Sequence, residues 1–393
     1  MRGVCLRHLS RRALLRAGAS GLAAGALTTP ADRVVAAPAR EGATPAVPVR
    51  VLVYDLWPDA VVEHLNRDYG LAVTCEPVAS LAEVRERLQA GAAPESDAAD
   101  AAILGLEDVA GCRDEGLLAP WAGRIAGRMP AALDAALRGH GGRDADGTTW
   151  LAPLCLGFDV LFGLGPAVSV GGLDRPEAPA WGTLLNLPLK GRVVMDPDGA
   201  VWMAMRRVDP DGARLDAAQT DKAVARDLFQ QVRAVLAPYR DQLASVWTDT
   251  VSFLMAVRNA SPVVGRAGMA WDSLVRRVAR ETGSVSMDAR IPADGAAAWL
   301  DGLALSATSP RPEAARRLVS ALRAPSTLAL WCRNREAIPA DPAAWLSLPA
   351  GDQAWMTRVL VRDEGWARLW FRPSLGPAVV PAFADARDRF EGA

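Results

Sequence analysis

The chain has 393 residues, half of them hydrophobic and 23% charged, the balance of a globular protein that buries a core and not of a disordered or fibrous one. Its formal charge is −1. Residues 1–39 carry six arginines against one aspartate, so the remainder stands at −6, a mildly acidic body that argues against a nucleic-acid partner.

Ser10-Arg11-Arg12-Ala13-Leu14-Leu15-Arg16 is a twin-arginine export pattern. An apolar run over 17–27 follows, then the small-x-small cleavage site Ala37-Pro38-Ala39. This basic, apolar, small-residue order is that of a secretory signal, so residues 1–39 are expected to be removed and the rest to work, soluble, in the periplasm or otherwise outside the cytoplasm. The apolar run is shorter than the roughly 20 residues needed to span a bilayer. No Cys stands at the cleavage point to carry a lipid. Residues 40–48, rich in Pro, Ala, Gly and Thr, read as a flexible lead.

A strand is predicted over 50–55, with Val51 and Val53 on one face, then a helix over 58–67 and a strand over 71–76. Ser80-Leu81-Ala82-Glu83 is a capping box that opens a helix to Ala90. A short strand over 100–104 leads into a helix that reaches Glu115 and stops at Gly116. This alternation predicts a parallel sheet wrapped by helices, with ligands at the carboxyl ends of its strands. Beyond Trp150 the pattern predicts a strand pair, 151–154 and 158–163, a loop over 165–179 and a strand over 192–196. A long amphipathic helix is predicted over 217–236, with Val224, Leu228, Val232 and Val235 on one face. Short strands follow at 263–264, 269–271 and 303–305, helices at 313–322 and 326–334, and a terminal helix at 377–390. The fold class is α/β, in two lobes with chain crossings between them.

Cys5 leaves with the signal. Cys75, Cys112, Cys155 and Cys332 could form two disulfides in an oxidising compartment, or stay as buried thiols acting as small hydrophobes. No CxxC, HExxH, GxSxG, P-loop or GxGxxG motif is present, so no metal, cofactor or enzymatic machinery is expected. A twin-arginine signal often precedes a cofactor-bearing redox enzyme, and this chain lacks the ligands for one. His64 and His140, the histidines left after residue 39, are expected to be exposed on a helix face and in a Gly-rich loop.

A set of landmarks runs through the chain in one order. They are the segment from Val51 through Tyr54 to Trp57, the helix from Leu81 to Gly91 before Ala99-Asp100-Ala101, and Glu115-Gly116-Leu117-Leu118. Thr149-Trp150-Leu151-Ala152-Pro153 follows, then Ala180-Trp181 with Leu189-Lys190-Gly191-Arg192-Val193, and Gly268-Met269-Ala270-Trp271-Asp272. Asp294-Gly295, Trp299-Leu300-Asp301-Gly302-Leu303-Ala304, Glu313-Ala314-Ala315 and Pro325-Ser326 complete the series. Together they resemble the extracellular solute-binding proteins of ABC transporters, nearest to the spermidine/putrescine-binding type.

The resemblance implies a type II periplasmic-binding-protein-like fold, with lobe 1 formed by 49–155 plus 301–338 and lobe 2 by 156–300 plus 339–393. The lobes would be joined by hinge crossings with the ligand between them. It implies a monomer, a small cationic, polyamine-like ligand, and a membrane permease as partner. Methylenes want flat apolar walls, and ammonium groups want carboxylates and ring faces. Carried over position by position, the resemblance assigns ligand roles to Trp57, Asp198, Trp271, Asp272, Trp299 and Asp301. Trp299 and Asp301 are two apart in a strand and so share a face. Departures occur at Gly105, where a polar pair is replaced by Glu107 and Asp108 one turn on, and at Val201, where a second acid is expected. Glu107 or Asp108 then supplies the missing polar contact, or the ligand is a different molecule. The other readings are a sugar, amino acid or anion as solute, a sensory binding subunit, and a carboxylate-based hydrolase.

Overall fold

The computed structural model describes residues 46–392, apart from 55–56, 91–97, 122–128, 171, 176, 261–262, 264 and 283–286. The export signal, its cleavage site, most of the lead and Val264 lie outside the described residues.

The first half alternates as the sequence pattern requires. Strand β1 (Val47–Val53) is followed by the helix Asp59–Tyr69, β2 (Leu71–Pro77), the helix Leu81–Ala90, β3 (Ala101–Gly105) and the helix Leu106–Asp114. β1 pairs in parallel with β2 along its whole length and with β3 at Val51 and Leu52. Val51, Leu52 and Val53 are all buried, so both faces of β1 are covered and not the one that alternation predicts. The first helix ends on Gly70 in the left-handed region (φ 61°), and Glu83 accepts from the Ala79 amide while Ser80 Oγ accepts from Glu83 N. The two-residue strand β4 (Leu118–Ala119) and the helix Ala131–Gly139 complete this half.

The predicted strand pair after Trp150 is one continuous strand, β5 (Ala152–Leu164), thirteen residues long and buried throughout. Further on come β6 (Val193–Met195), β7 (Leu243–Val246), β8 (Arg266–Trp271), β9 (Met287–Arg290) and a second long strand, β10 (Ala296–Ser306). The short strands β11 (Ile338–Pro339) and β12 (Leu369–Phe371) close the series. The sheet path is β2-β1-β3-β10-β5-β8-β6-β7. Its middle is where the architecture turns. β10 pairs antiparallel with β3 through Asp301–Leu305 and in parallel with β12 through Ala296–Ala298. β5 pairs with β10 and β11 up to Phe158, and with β8 and β9 from Asp159 onward. β5 thus serves one sheet with one end and another with the other, and β10 joins it to β3.

The helices Pro197–Val208, Lys222–Arg240 and Val380–Glu391 pack together over the β6-β7-β8 side. The predicted helix at 217–236 is two helices, Ala213–Ala218 and Lys222–Arg240. Asp221 caps the second by accepting from the amides of Ala223 and Val224. The four cysteines are free thiols. Burial pushes the Cys75 thiol up to about 11, as expected for a sulfur packed as a hydrophobe.

Gly268 allows β8 to approach β6, since a Cβ there would lie 1.9 Å from the Val194 carbonyl oxygen. Gly268→Ala is expected to destabilise the protein by about 2–4 kcal/mol, read as a lowered thermal midpoint.

Candidate functional site

The crossing strands set out a cluster by simple alternation. On β5, Cys155, Gly157 and Asp159 point to one face. Trp299 stands opposite Gly157, Asp301 opposite Cys155 and Gly105, and Trp271 opposite Asp159. The Trp271 and Trp299 rings meet edge to face at 6.3 Å, and Trp247 continues the row against Trp271 at 5.1 Å. The Trp299 ring lies against Gly157, where a Cβ would come within 2.3 Å of Cζ2, so only glycine leaves room for it. Arg372, whose amide donates to the Ala298 carbonyl, places its guanidinium 5.1 Å over the Trp299 ring.

Carboxylates converge on this face. Asp301 is 6% exposed and Asp159 1%. The Glu107 carboxylate folds back over Gly105, where a Cβ would lie 2.7 Å from Oε2. Asp196 caps the helix Pro197–Val208 by accepting from the amides of Asp198 and Gly199. A Cβ on Gly199 would lie 3.1 Å from Asp196 Oδ2 and 3.2 Å from Asp159 Oδ2, so the two acids border one point at the positive end of that helix. An open groove of about 540 Å³ has Glu107 in its lining, with Arg113, His140, Arg143, Asp144 and Ser374, among others.

Five of the eight residues singled out from the sequence bear on this region: Trp271, Trp299 and Asp301 share the face, Glu107 borders it, and Asp198 stands at the adjoining helix start. Asp198 acts electrostatically on Arg387 of the terminal helix, and Asp108 acts on Arg85 and Cys112, on the side of its helix away from the groove. Trp57 is buried edge to face against Trp331, 6.4 Å away. Asp272 is engaged elsewhere. It accepts from the Phe158 amide at 3.1 Å and pairs with buried Arg276 at 3.0 Å. Burial pushes its carboxyl up from the usual range, against the pull of Arg276. Arg276 also donates to the Glu336 carbonyl, lies 3.5 Å from Asp352 and sits over the Trp355 ring. Sequence reasoning missed Asp159, Asp196 and Arg372.

Neither remaining histidine is exposed as predicted; both are half-buried. His64 Nε2 lies 2.9 Å from Thr327 Oγ1 and its Nδ1 2.7 Å from the Asp68 carboxylate. Thr327 is fully buried, so this line joins two helices and offers no accessible nucleophile. Burial pushes His140 down from its usual range, against the pull of Glu107 and of Asp216 on the helix Ala213–Ala218. Among the described residues no group of His, Cys, Asp and Glu has the arrangement of a metal site, and no helix is long and apolar enough to cross a membrane.

No family model and no curated protein matches the sequence. Solved structures do. The chain is similar to the spermidine/putrescine ABC transporter substrate-binding protein PotD from Streptococcus pneumoniae, at a TM-score of 0.65 and 11% identity, over 88% of this chain and 99% of that one. The fold is that of the type II periplasmic binding proteins. Ferric iron-binding protein A of Mannheimia haemolytica shares this binding-protein fold (TM-score 0.56, 13% identity, 88% and 99% covered). So does thiaminase I of Bacillus thiaminolyticus (TM-score 0.61, 14% identity, 88% and 99% covered). At these identities the likeness is one of fold, and a periplasmic-binding-protein fold carries both binders and an enzyme.

Two outcomes follow from the geometry. Asp272→Ala is expected to cost about 3 kcal/mol, the low end for breaking a buried pair because Asp352 and the Glu336 carbonyl still hold Arg276; denaturant midpoints measure it. Because His140 titrates lower when folded, the unfolded chain binds more protons near pH 6, so stability is lost as pH falls through about 6.5. His140→Gln is expected to flatten that part of the profile of thermal midpoint against pH.

Proposed function

We propose that the protein is an exported solute-binding protein that captures a small, ammonium-bearing molecule by closure of two lobes and delivers it to the permease of an ABC importer. The single observation that carries this reading is the placement of Asp159, Asp301, Trp271 and Trp299 on one face of the adjacent strands β5, β8 and β10. Buried carboxylates and ring faces are what an ammonium group needs, and this is the chemistry a polyamine presents. The lobes are taken as 49–155 plus 301–338 and 156–300 plus 339–393, so that the chain crosses at Cys155/Leu156, Leu300/Asp301 and Ile338/Pro339. Export rests on the Arg11-Arg12 signal, and the protein acts as a monomer without a cofactor.

Closure is part of the proposal because Asp159, Asp301 and Trp271 are covered in this conformation, so a ligand enters only when the lobes part. A second reading, an enzyme, draws on the likeness to thiaminase I. Incubation with thiamine separates the two: the binding-protein reading expects thiamine to survive unchanged.

A thermal-shift screen tests capture. Solutes carrying a primary amine are expected to raise the melting temperature, with about 2.7 kcal/mol of stabilisation at a hundredfold excess over Kd. Asp301→Asn is expected to keep the fold and lose the response. A response to sugars or simple anions with none to amines would overturn the ammonium assignment.

A further inference from the structure

We propose that Glu336 is a charge latch across the third chain crossing: gripped by Arg276, Arg277 and Arg280, it holds the two lobes together and sets how readily they part. This inference rests on the two-lobe reading proposed above and adds the device that restrains opening. It starts from a strained residue. Glu336 has φ 54° and is one of two non-glycine residues with positive φ among the described residues. It follows the helix Pro325–Asn334, whose end is closed by the Ala337 amide donating to the Cys332 carbonyl and the Glu336 amide donating to the Arg333 carbonyl. That pair of bonds puts Glu336 at the left-handed position where glycine is the usual residue, because a side chain there costs energy.

The side chain accounts for what the backbone disfavours. The Glu336 carboxylate lies 2.6 Å from Arg277 and 2.7 Å from Arg280, and its carbonyl accepts from buried Arg276. All three arginines stand on the helix Asp272–Thr282. Arg276 and Arg280 are four apart and so share a face, and both also reach Asp352, at 3.5 and 3.2 Å. Glycine at 336 would relieve the strain and lose both ion pairs of the side chain.

The two ends of this cluster are anchored to different parts of the fold. The helix Pro325–Asn334 is held to the first half of the chain: Trp331 meets Trp57, and Thr327 Oγ1 lies 2.9 Å from His64 Nε2 and 3.1 Å from the Tyr69 hydroxyl. The helix Asp272–Thr282 follows β8 directly, and its Asp272 accepts from the Phe158 amide on β5. One short link runs on from Glu336 to β11, which pairs with Leu156 and Cys155 where β5 crosses. A rotation of one lobe against the other about this link moves Glu336 relative to the arginines. The Glu336, Arg277 and Arg280 side chains are 23%, 34% and 45% exposed, so their attraction is open to screening by salt.

Pulsed electron-spin resonance on the full exported protein tests the latch. Nitroxides are attached through Glu86→Cys and Arg226→Cys, exposed positions one in each lobe, in a Cys75→Ser background. Without ligand, Glu336→Gln is expected to raise the ratio of open to closed molecules roughly fivefold, read as growth of a second distance population. Salt at about 1 M, where charges are screened beyond about 3 Å, is expected to do the same to the protein with Glu336 and to leave the Gln variant unmoved. Glu336→Gly, which also relieves the strain, is expected to open the lobes at least as far. Unchanged distances in both Glu336 variants overturn the latch. An amine that raises the melting temperature then separates the failures. If it shifts the distances while the Glu336 variants do not, the latch is wrong and lobe closure stands; if neither amine, salt nor variant moves them, closure falls with the latch.

Discussion

The antiparallel pairing of β5 with β10, from Phe158–Ala298 to Cys155–Asp301, is the constraint on which the rest depends. β5 passes from one sheet at one end to another at the other, so this short ladder ties the two halves of the chain together. Because side chains alternate with a period of two, the same ladder decides which residues share a face. A slip of one residue would turn Asp159 or the Trp299–Asp301 pair to the other side. Gly157 pins the register sterically, since any larger residue opposite Trp299 collides with the indole.

The two sides of β5 at the crossing are treated differently. On one side Phe158 is braced: its amide donates to Asp272, and its ring stacks on Trp355 at 6.1 Å. Arg276 lies over that same Trp355 and holds Asp272, while Arg277 and Arg280 reach the Glu336 carboxylate. Each charge there meets an opposite charge, and the strand is fixed where it passes between sheets. On the other side the neighbours Gly157 and Asp159 face rings, further acids and a helix start. Burying carboxylates near one another is costly, and a helix N-terminus offsets part of that cost.

Much of this was legible in the sequence, for reasons that differ by residue. The βαβαβα opening was readable because its turns are marked by caps and glycines at Ser80, Gly70 and Gly116. Asp301 stood out as a carboxylate in an apolar strand. The same criterion applied to 152–164, where Asp159 is the one charged residue in thirteen, identifies Asp159 too. Pro153 and Gly157 made β5 look like two strands. Pro153 instead sits at the register shift opposite Gly302, and Gly157 is the bed for Trp299. The resemblance assigns Asp272 a ligand role, whereas its position at the start of a helix sends its carboxylate to Arg276. Arg372 was not legible at all, because nothing near it in sequence tells that β12 returns to pair with Ala296–Ala298.

The fold by itself does not choose between capture and catalysis, since binding proteins and thiaminase I share it. Function lies in the site and not in the fold. Here the site is the crossing, where Asp159 and Asp301 are buried beside Trp271 and Trp299. Under the capture reading proposed above, closure itself selects among solutes, because a ligand shifts an equilibrium only by its difference in affinity for the two states.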